Sequence, residues 1–159
     1  MCNTNIYIKK TDKNDIDDLM DIRLEMLREV NKLDKEASFD STLQECSKSY
    51  FLNGDQTTVF AMDGDTIAGC ASISYITIMP TFSHPTGKRA HLMNVYTRSG
   101  FRRRGVGKIM VQFLIDEAKE RGITEISLDS TEMGHPLYKS MGFNNNADGM
   151  TLQLSLTKQ

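Results

Sequence analysis

From Asn5 to Lys10 apolar and polar residues alternate, the period of a strand with one covered face. Thr11 and Asp12 then stand where a helix cap is expected, with Asp15 near the helix start. Ile16, Leu19, Met20, Leu27 and Val30 give that helix its apolar face. A polar loop, Lys32 to Ser38, precedes a shorter helix marked by Leu43, Cys46, Tyr50 and Phe51, which ends near Asn53-Gly54-Asp55. Thr57 to Met62 predicts a strand, Asp63-Gly64-Asp65 a hairpin turn, and Thr66 to Ile78 a long β-branched strand. Met79 to Arg89 holds Pro80, Pro85 and Gly87 and reads as an irregular loop.

Ala90 to Thr97 is the next strand. Val106, Ile109, Met110, Phe113, Leu114 and Ala118 then follow helical spacing until Gly122 stops them. Thr124 to Ser130 predicts another strand. A strand–helix–strand unit of this size implies parallel pairing through a right-handed crossover. His135 to Phe143 holds a short helix that tolerates Pro136 in its first turn, and Gly142 ends it. Met150 to Leu156 alternates and predicts a closing antiparallel strand. The expected fold is one mixed α/β domain across residues 1–159, in the order β-α-α-β-β-β-α-β-α-β.

Composition narrows the function classes. The chain has 159 residues, 39% of them apolar and 25% charged, which describes an ordinary globular domain. A net charge of −2 argues against broad nucleic-acid binding, which needs an extended basic face. No apolar run reaches the roughly 18 residues of a membrane span, and the first ten residues lack an apolar signal core, so neither a membrane partner nor secretion is expected. Cys2, Cys46 and Cys70 are odd in number and widely spaced, which fits reduced thiols and a cytoplasmic protein. There is no C-x-x-C, and His84, His91 and His135 form no helical pair, so no metal site is expected.

One stretch concentrates charge and bare backbone: GFRRRGVGKIM, Gly100 to Met110. It follows a strand and opens a helix, whose first N–H groups are unpaired and carry partial positive charge. Glycines admit a ligand close to that backbone, and arginines add charge-assisted bonds to phosphate. The loop from Arg102 to Lys108 therefore has the makings of a pyrophosphate cradle, although a solvated basic turn has the same composition. A P-loop needs lysine where Val106 stands, and a dinucleotide fingerprint needs glycine where Met110 stands. The pattern that fits is R-x-x-G-x-G, as Arg102, Gly105 and Gly107.

Leu92 to Leu128, with this loop at its centre, resembles the acetyl-coenzyme A binding core of the GCN5-related N-acetyltransferases, and PLYKSMGF resembles that family's C-terminal helix and turn. The resemblance is strongest over about 90–143. It implies a single mixed central sheet with helices on both faces, and acetyl-CoA as co-substrate without a metal. By position it implies Val95, Tyr96 and Thr97 along the pantetheine arm. It implies Arg103, Arg104, Gly105, Val106, Gly107 and Lys108 around the phosphates, with Arg102 matching the motif's first residue and bracing the loop.

Acetyl transfer to an amine needs a neutral nucleophile, a donor to the carbonyl oxygen, and a proton for the departing thiolate. The resemblance puts Tyr138 near the coenzyme sulfur, as acid and as a coenzyme contact. A phenol of pKa about 10 can protonate a thiolate whose conjugate acid lies near about 8.5. As a residue on its own, Tyr138 equally fits a packing aromatic. Many relatives carry a glutamate base on the strand before the loop, but the nearby residue here is Asn94. Asp129 and Glu132 are the carboxylates that could replace it, and each also fits a surface or capping role. Histidine titrates nearest neutrality, which adds His84 and His91. Thr131 stands seven residues before Tyr138, where many relatives have asparagine.

The resemblance implies an N-acetyltransferase that acts on a primary amine, of a small molecule or a peptide, by direct attack in a ternary complex. The alternative is an acyl-CoA-binding sensor or partner domain without turnover, which the missing glutamate favours. Glu36, Asp40 and Glu45 are candidates for an acidic lining of the acceptor mouth. Relatives are often dimers, so a homodimer stays open.

Overall fold

The structure, a computed structural model, describes residues 5–155. Cys2 and the last residue of the expected closing strand, Leu156, lie outside them. The chain divides into two compact units, Met1–Asp129 and Ser130–Gln159, which are described separately.

The first unit is built on a five-stranded sheet in the order β1-β2-β3-β4-β5. The strands are β1 (Ile6–Lys10), β2 (Gln56–Asp63), β3 (Thr66–Thr77), β4 (Lys88–Thr97) and β5 (Glu125–Ser127). The first four pair antiparallel, and β4 pairs parallel with β5. Three helices belong to this unit: α1 (Ile16–Val30), α2 (Ser41–Asn53) and α3 (Val106–Glu120). The expected hairpin turn closes β2 onto β3, with Gly64 at φ 58°. The parallel pair follows from α3, which carries the chain back across the sheet.

Both faces of the sheet are covered, which is why all of Thr57 to Met62 is buried rather than alternate positions. On one face Leu19, Ile22 and Met26 of α1 pack with Phe60, Met62, Cys70 and Tyr96. On the other, α3 lies across the strands through Val106, Met110, Val111, Leu114 and Ala118. Each large side chain buried in this way contributes about 1.5–3 kcal/mol.

Asp12 caps the start of the first helical segment, as its position predicts. Its side chain accepts from the Asn14 N–H at 2.8 Å, and Asp15 accepts from the Asp12 N–H at 2.9 Å. The buried stripe of α1 differs from the expected one. Ile22 and Met26 join Leu19 in the core, whereas Val30 is exposed.

The second unit holds α4 (His135–Ser140). The Tyr138 and Phe143 rings meet edge to face, 5.8 Å between centroids. The expected closing strand is absent from its described part. Residues 150–155 form no strand, and Met150, Leu152 and Leu154 are exposed. Alternation makes a strand only where a neighbour takes up its N–H and C=O groups, and none does so here among the described residues. Among those residues no helix is long and apolar enough to cross a membrane.

Candidate active site

The site begins with a defect in β4. Tyr96 lies opposite Cys70 and Met93 opposite Ser72, so Ala71 of β3 faces both Asn94 and Val95. The extra residue is a β-bulge, and Asn94 absorbs it at φ 57°, a left-handed conformation that asparagine tolerates better than most residues. A bulge bends its strand. β5 pairs only with Arg89, Ala90 and His91, and beyond His91 the outer edge of β4 has no strand partner among the described residues. Along Leu92 to Thr97, a stretch that includes Val95, Tyr96 and Thr97, the main-chain groups that point away from β3 therefore have no strand partner among the described residues.

That open edge runs into the glycine-rich loop. Arg103 and Gly105 both have positive φ, 64° and 74°. Gly105 is the N-cap of α3 without any side-chain cap, and a Cβ placed on it would meet nothing within 4 Å. Among the described residues, no protein acceptor takes the N–H of residues 103–108. Free N–H groups at a helix start are suited to receive an oxyanion, as a cradle would. Arg103, Arg104 and Lys108 are exposed around it, with Arg104 over the Phe101 ring. Gly107 is half-buried, and Val106 turns its side chain into the core and leaves only its backbone on the loop. These features fit a pyrophosphate and a pantetheine arm: donors for the first, and an unpaired strand edge for the second.

Arg102 does not face the cradle. Its Nε donates to the Thr97 carbonyl at 2.9 Å, and its guanidinium pairs with Glu29 of α1. One turn earlier on α1, Glu25 accepts from Arg98 Nε and Nη2 at 3.1 and 2.9 Å. The Tyr96 hydroxyl sits between the two acids, 2.7 Å from Glu29 and 3.1 Å from Glu25. Burial and these carboxylates push its phenol well above the usual range. The Tyr96 ring thus belongs to the α1 side, and only its backbone is offered at the sheet edge. Glu25 and Glu29, spaced four apart, clamp Arg98 and Arg102, also spaced four apart. Nothing local in the sequence marks the two acids as functional, and the matched spacing of four is the signal that pairs them with the arginines.

A cleft of about 230 Å³ opens on the α1–α2 side of the bulge. Arg23, Tyr50, Ser72, Met93 and Asn94 line it. Arg23 Nη1 donates to the Asn94 side-chain oxygen at 3.0 Å, and Asn94 Nδ2 donates to Ser72 Oγ at 3.3 Å. None of Glu36, Asp40 and Glu45 lines this cleft. Asp40 instead caps α2 through the Thr42 N–H at 2.7 Å.

The candidate acid and bases fall in different places. Asp129 ends the first unit, fully exposed, 3.8 Å from His91 Nε2. His91 Nδ1 lies 2.8 Å from Ser127 Oγ. His84 is held by Thr124 at 2.8 Å and Glu125 at 3.4 Å, a structural setting. Glu132 and Tyr138 belong to the second unit, where Glu132 is exposed. Burial raises the Tyr138 phenol above its usual range, so it holds its proton at neutral pH. Among the described residues no three metal-ligating side chains cluster.

With this geometry in place, comparison with known proteins decides the family. The model of the acetyltransferase (GNAT) family matches residues 19–143, more than half of the chain. The chain belongs to the GNAT acetyltransferase family. The protein is similar to the glucosamine 6-phosphate N-acetyltransferase of Arabidopsis thaliana, 28% identical over 113 residues, 71% of this chain and 73% of that one. It is also similar to the crystal structure of a predicted acetyltransferase with acetyl-CoA from Clostridium acetobutylicum. The TM-score is 0.81 at 28% identity, covering 93% of this chain and 96% of that chain. A GCN5-related N-acetyltransferase from Ralstonia eutropha superposes with a TM-score of 0.76 at 25% identity, covering 94% and 99%. The mixed sheet with a helix layer on each face is thus that of a GNAT enzyme, an acyltransferase whose acetyl donor is acetyl-CoA.

Proposed function

We propose that this GNAT enzyme transfers the acetyl group to a primary amine of a small-molecule or peptide acceptor, by direct attack in a ternary complex, as one catalytic domain spanning 1–159. The observation that carries the reading is the break between β4 and β5 beyond His91, leading into the unpaired N–H groups at residues 103–108. Bound acetyl-CoA supplies an acetyl thioester. The N–H groups from Arg103 to Lys108 hold its phosphates, with Arg103, Arg104 and Lys108 adding charge. The freed edge at Val95, Tyr96 and Thr97 aligns the pantetheine arm. Arg102 acts on the coenzyme indirectly, as the residue that fixes the loop to α1.

The acceptor enters the cleft between α1, α2 and β4. Tyr138, kept neutral by burial, donates a proton to the leaving thiolate. Asp129 and Glu132 are the carboxylates proposed to take the amine's proton, directly or through water. Asn94 is not a base, since an amide takes no proton at neutral pH and this one is engaged by Arg23 and Ser72.

Calorimetric titration with acetyl-CoA, with ATP and NAD as controls, tests the cradle. Selective micromolar-scale binding followed by release of free thiol with an amine panel supports the enzyme. Folded protein that binds none of the three overturns it.

A further inference from the structure

The acceptor cleft contains a charge without a counter-charge. Arg23 lies on the core-facing side of α1, one residue after the fully buried Ile22 and three before the buried Met26. Its guanidinium is part-buried, and burial lowers its pKa. Its recorded hydrogen bond goes to a neutral amide oxygen, that of Asn94 at 3.0 Å. Among the described residues no carboxylate pairs with it, although Arg98 and Arg102 on the same side of the sheet each have one from α1. Cys70 is no counter-ion for it, since burial pushes that thiol up to about 12 and leaves it neutral at pH 7.

A guanidinium offers five donors in a planar fork, and among the described residues one of them is engaged, by Asn94. A part-buried cation left in this way is unfavourable until an anion arrives. By contrast, two of the Arg98 donors go to the Glu25 carboxylate, at 2.9 and 3.1 Å. Arg23 differs in that its free donors border a cleft of about 230 Å³ lined by Ser72, Met93 and Asn94. Among the described residues its lining has no carboxylate to attract a purely cationic amine.

Resting on the acetyltransferase reading above, we infer that the acceptor is a small amine that also carries an oxyanion, a carboxylate or a phosphate, and that Arg23 binds this group. Arg23 is therefore a specificity-determining residue rather than a participant in proton transfer. Its bond to Asn94 sets the direction of the fork, and the Asn94 bulge sets where Asn94 stands. Recognition of the oxyanion and the opening of the sheet edge thus share one residue.

The test uses matched amines and the full-length protein. Methionine against methioninamide forms the carboxylate arm, and phosphoethanolamine against ethanolamine the phosphate arm. Each is titrated calorimetrically into the protein saturated with coenzyme A, so the readout does not depend on turnover. The expected result is at least about tenfold tighter binding of the anionic member in one arm, the scale of a lost charge-assisted pair. That arm names the source of the oxyanion. Arg23→Gln should abolish the difference while leaving coenzyme A affinity within about twofold, which a merely structural role for Arg23 would not predict. Arg23→Lys keeps the charge without the fork, and should retain part of the difference, a measurement that decides the matter if Arg23→Gln does not fold. Absence of discrimination in both arms, or discrimination that survives Arg23→Gln, overturns the inference. Failure of coenzyme A and acetyl-CoA to bind is a separate result, and counts against the proposed function itself.

Discussion

Glu29, in the last turn of α1, holds Arg102 at the head of the glycine-rich loop. The glycine-rich loop is thereby tied to the helix that lines the Arg23–Asn94 cleft. The Glu29 carboxyl is held below the ordinary range by hydrogen bonds from Tyr96 and then Arg102, with burial opposing them. A depressed carboxyl favours the fold when ionised. Its contribution is complete above its ordinary value of 4.5 and is lost as pH falls through the lower folded value. Glu29→Gln should weaken acetyl-CoA binding by about three- to tenfold and move stability by less than about 1 kcal/mol, since the pair is partly exposed. Calorimetry and urea unfolding check both. The variant should also flatten the fall in stability below pH 4.5, and an unchanged acid limb would remove Glu29 from it.

Gly105 combines a φ of 74° with open space around its missing Cβ. A methyl group there strains the backbone but strikes nothing in the protein. Gly105→Ala should lower stability by roughly 1–2 kcal/mol, the usual penalty for a side chain in the left-handed region. In the proposed cradle the same methyl would stand in a phosphate's way, so coenzyme affinity should fall by more than the stability change accounts for. Gly105→Asp adds repulsion and should weaken binding further. A folded alanine variant with unaltered affinity removes Gly105 from the cradle.

Cys70 and Cys46 should separate cleanly under alkylation. Cys70 is wholly buried, and its thiol is pushed up to about 12 by loss of solvent. Cys46 is exposed on α2, where it lines the Arg23–Asn94 cleft. Iodoacetamide at pH 8, followed by peptide mass spectrometry, should label Cys46 within minutes and spare Cys70 until the protein is unfolded. Early labelling of Cys70 would show that the α1 layer opens readily from the sheet.

The parts of the fold that are local were legible in the sequence. Asp12 as a cap, Gly64 as a turn and the Val106–Met110–Leu114–Ala118 stripe each depend on neighbours a few residues away. The resemblance named Arg102 as a brace for the loop, and the Glu29 it pairs with was not read from the sequence. What was not legible is long-range. Glu25 and Glu29 look like surface acids until Arg98 and Arg102, some seventy residues on, are brought beside them. Arg23 reads as a helix-surface cation until the Asn94 bulge turns an amide toward it. The Met150 to Leu156 alternation failed for the converse reason. Its local pattern is sound, but a strand is a property of two segments, and its described residues have no partner.

Tyr138 offers the sharpest test of mechanism, because its hydroxyl can be removed without disturbing its ring. The ring packs edge to face on Phe143, a contact phenylalanine preserves. Among the described residues the hydroxyl has no recorded hydrogen bond, so its loss leaves no buried partner unpaired. Burial holds the phenol protonated, as an acid must be before it acts. Tyr138→Phe should therefore leave stability and acetyl-CoA affinity nearly unchanged while turnover falls by about ten- to a thousandfold, the range for loss of an acid catalyst. The pH profile discriminates further. A tyrosine acid gives the wild type a falling alkaline limb, which phenylalanine should abolish. Equal turnover in the two proteins would assign Tyr138 to packing alone and leave the thiolate to depart unprotonated.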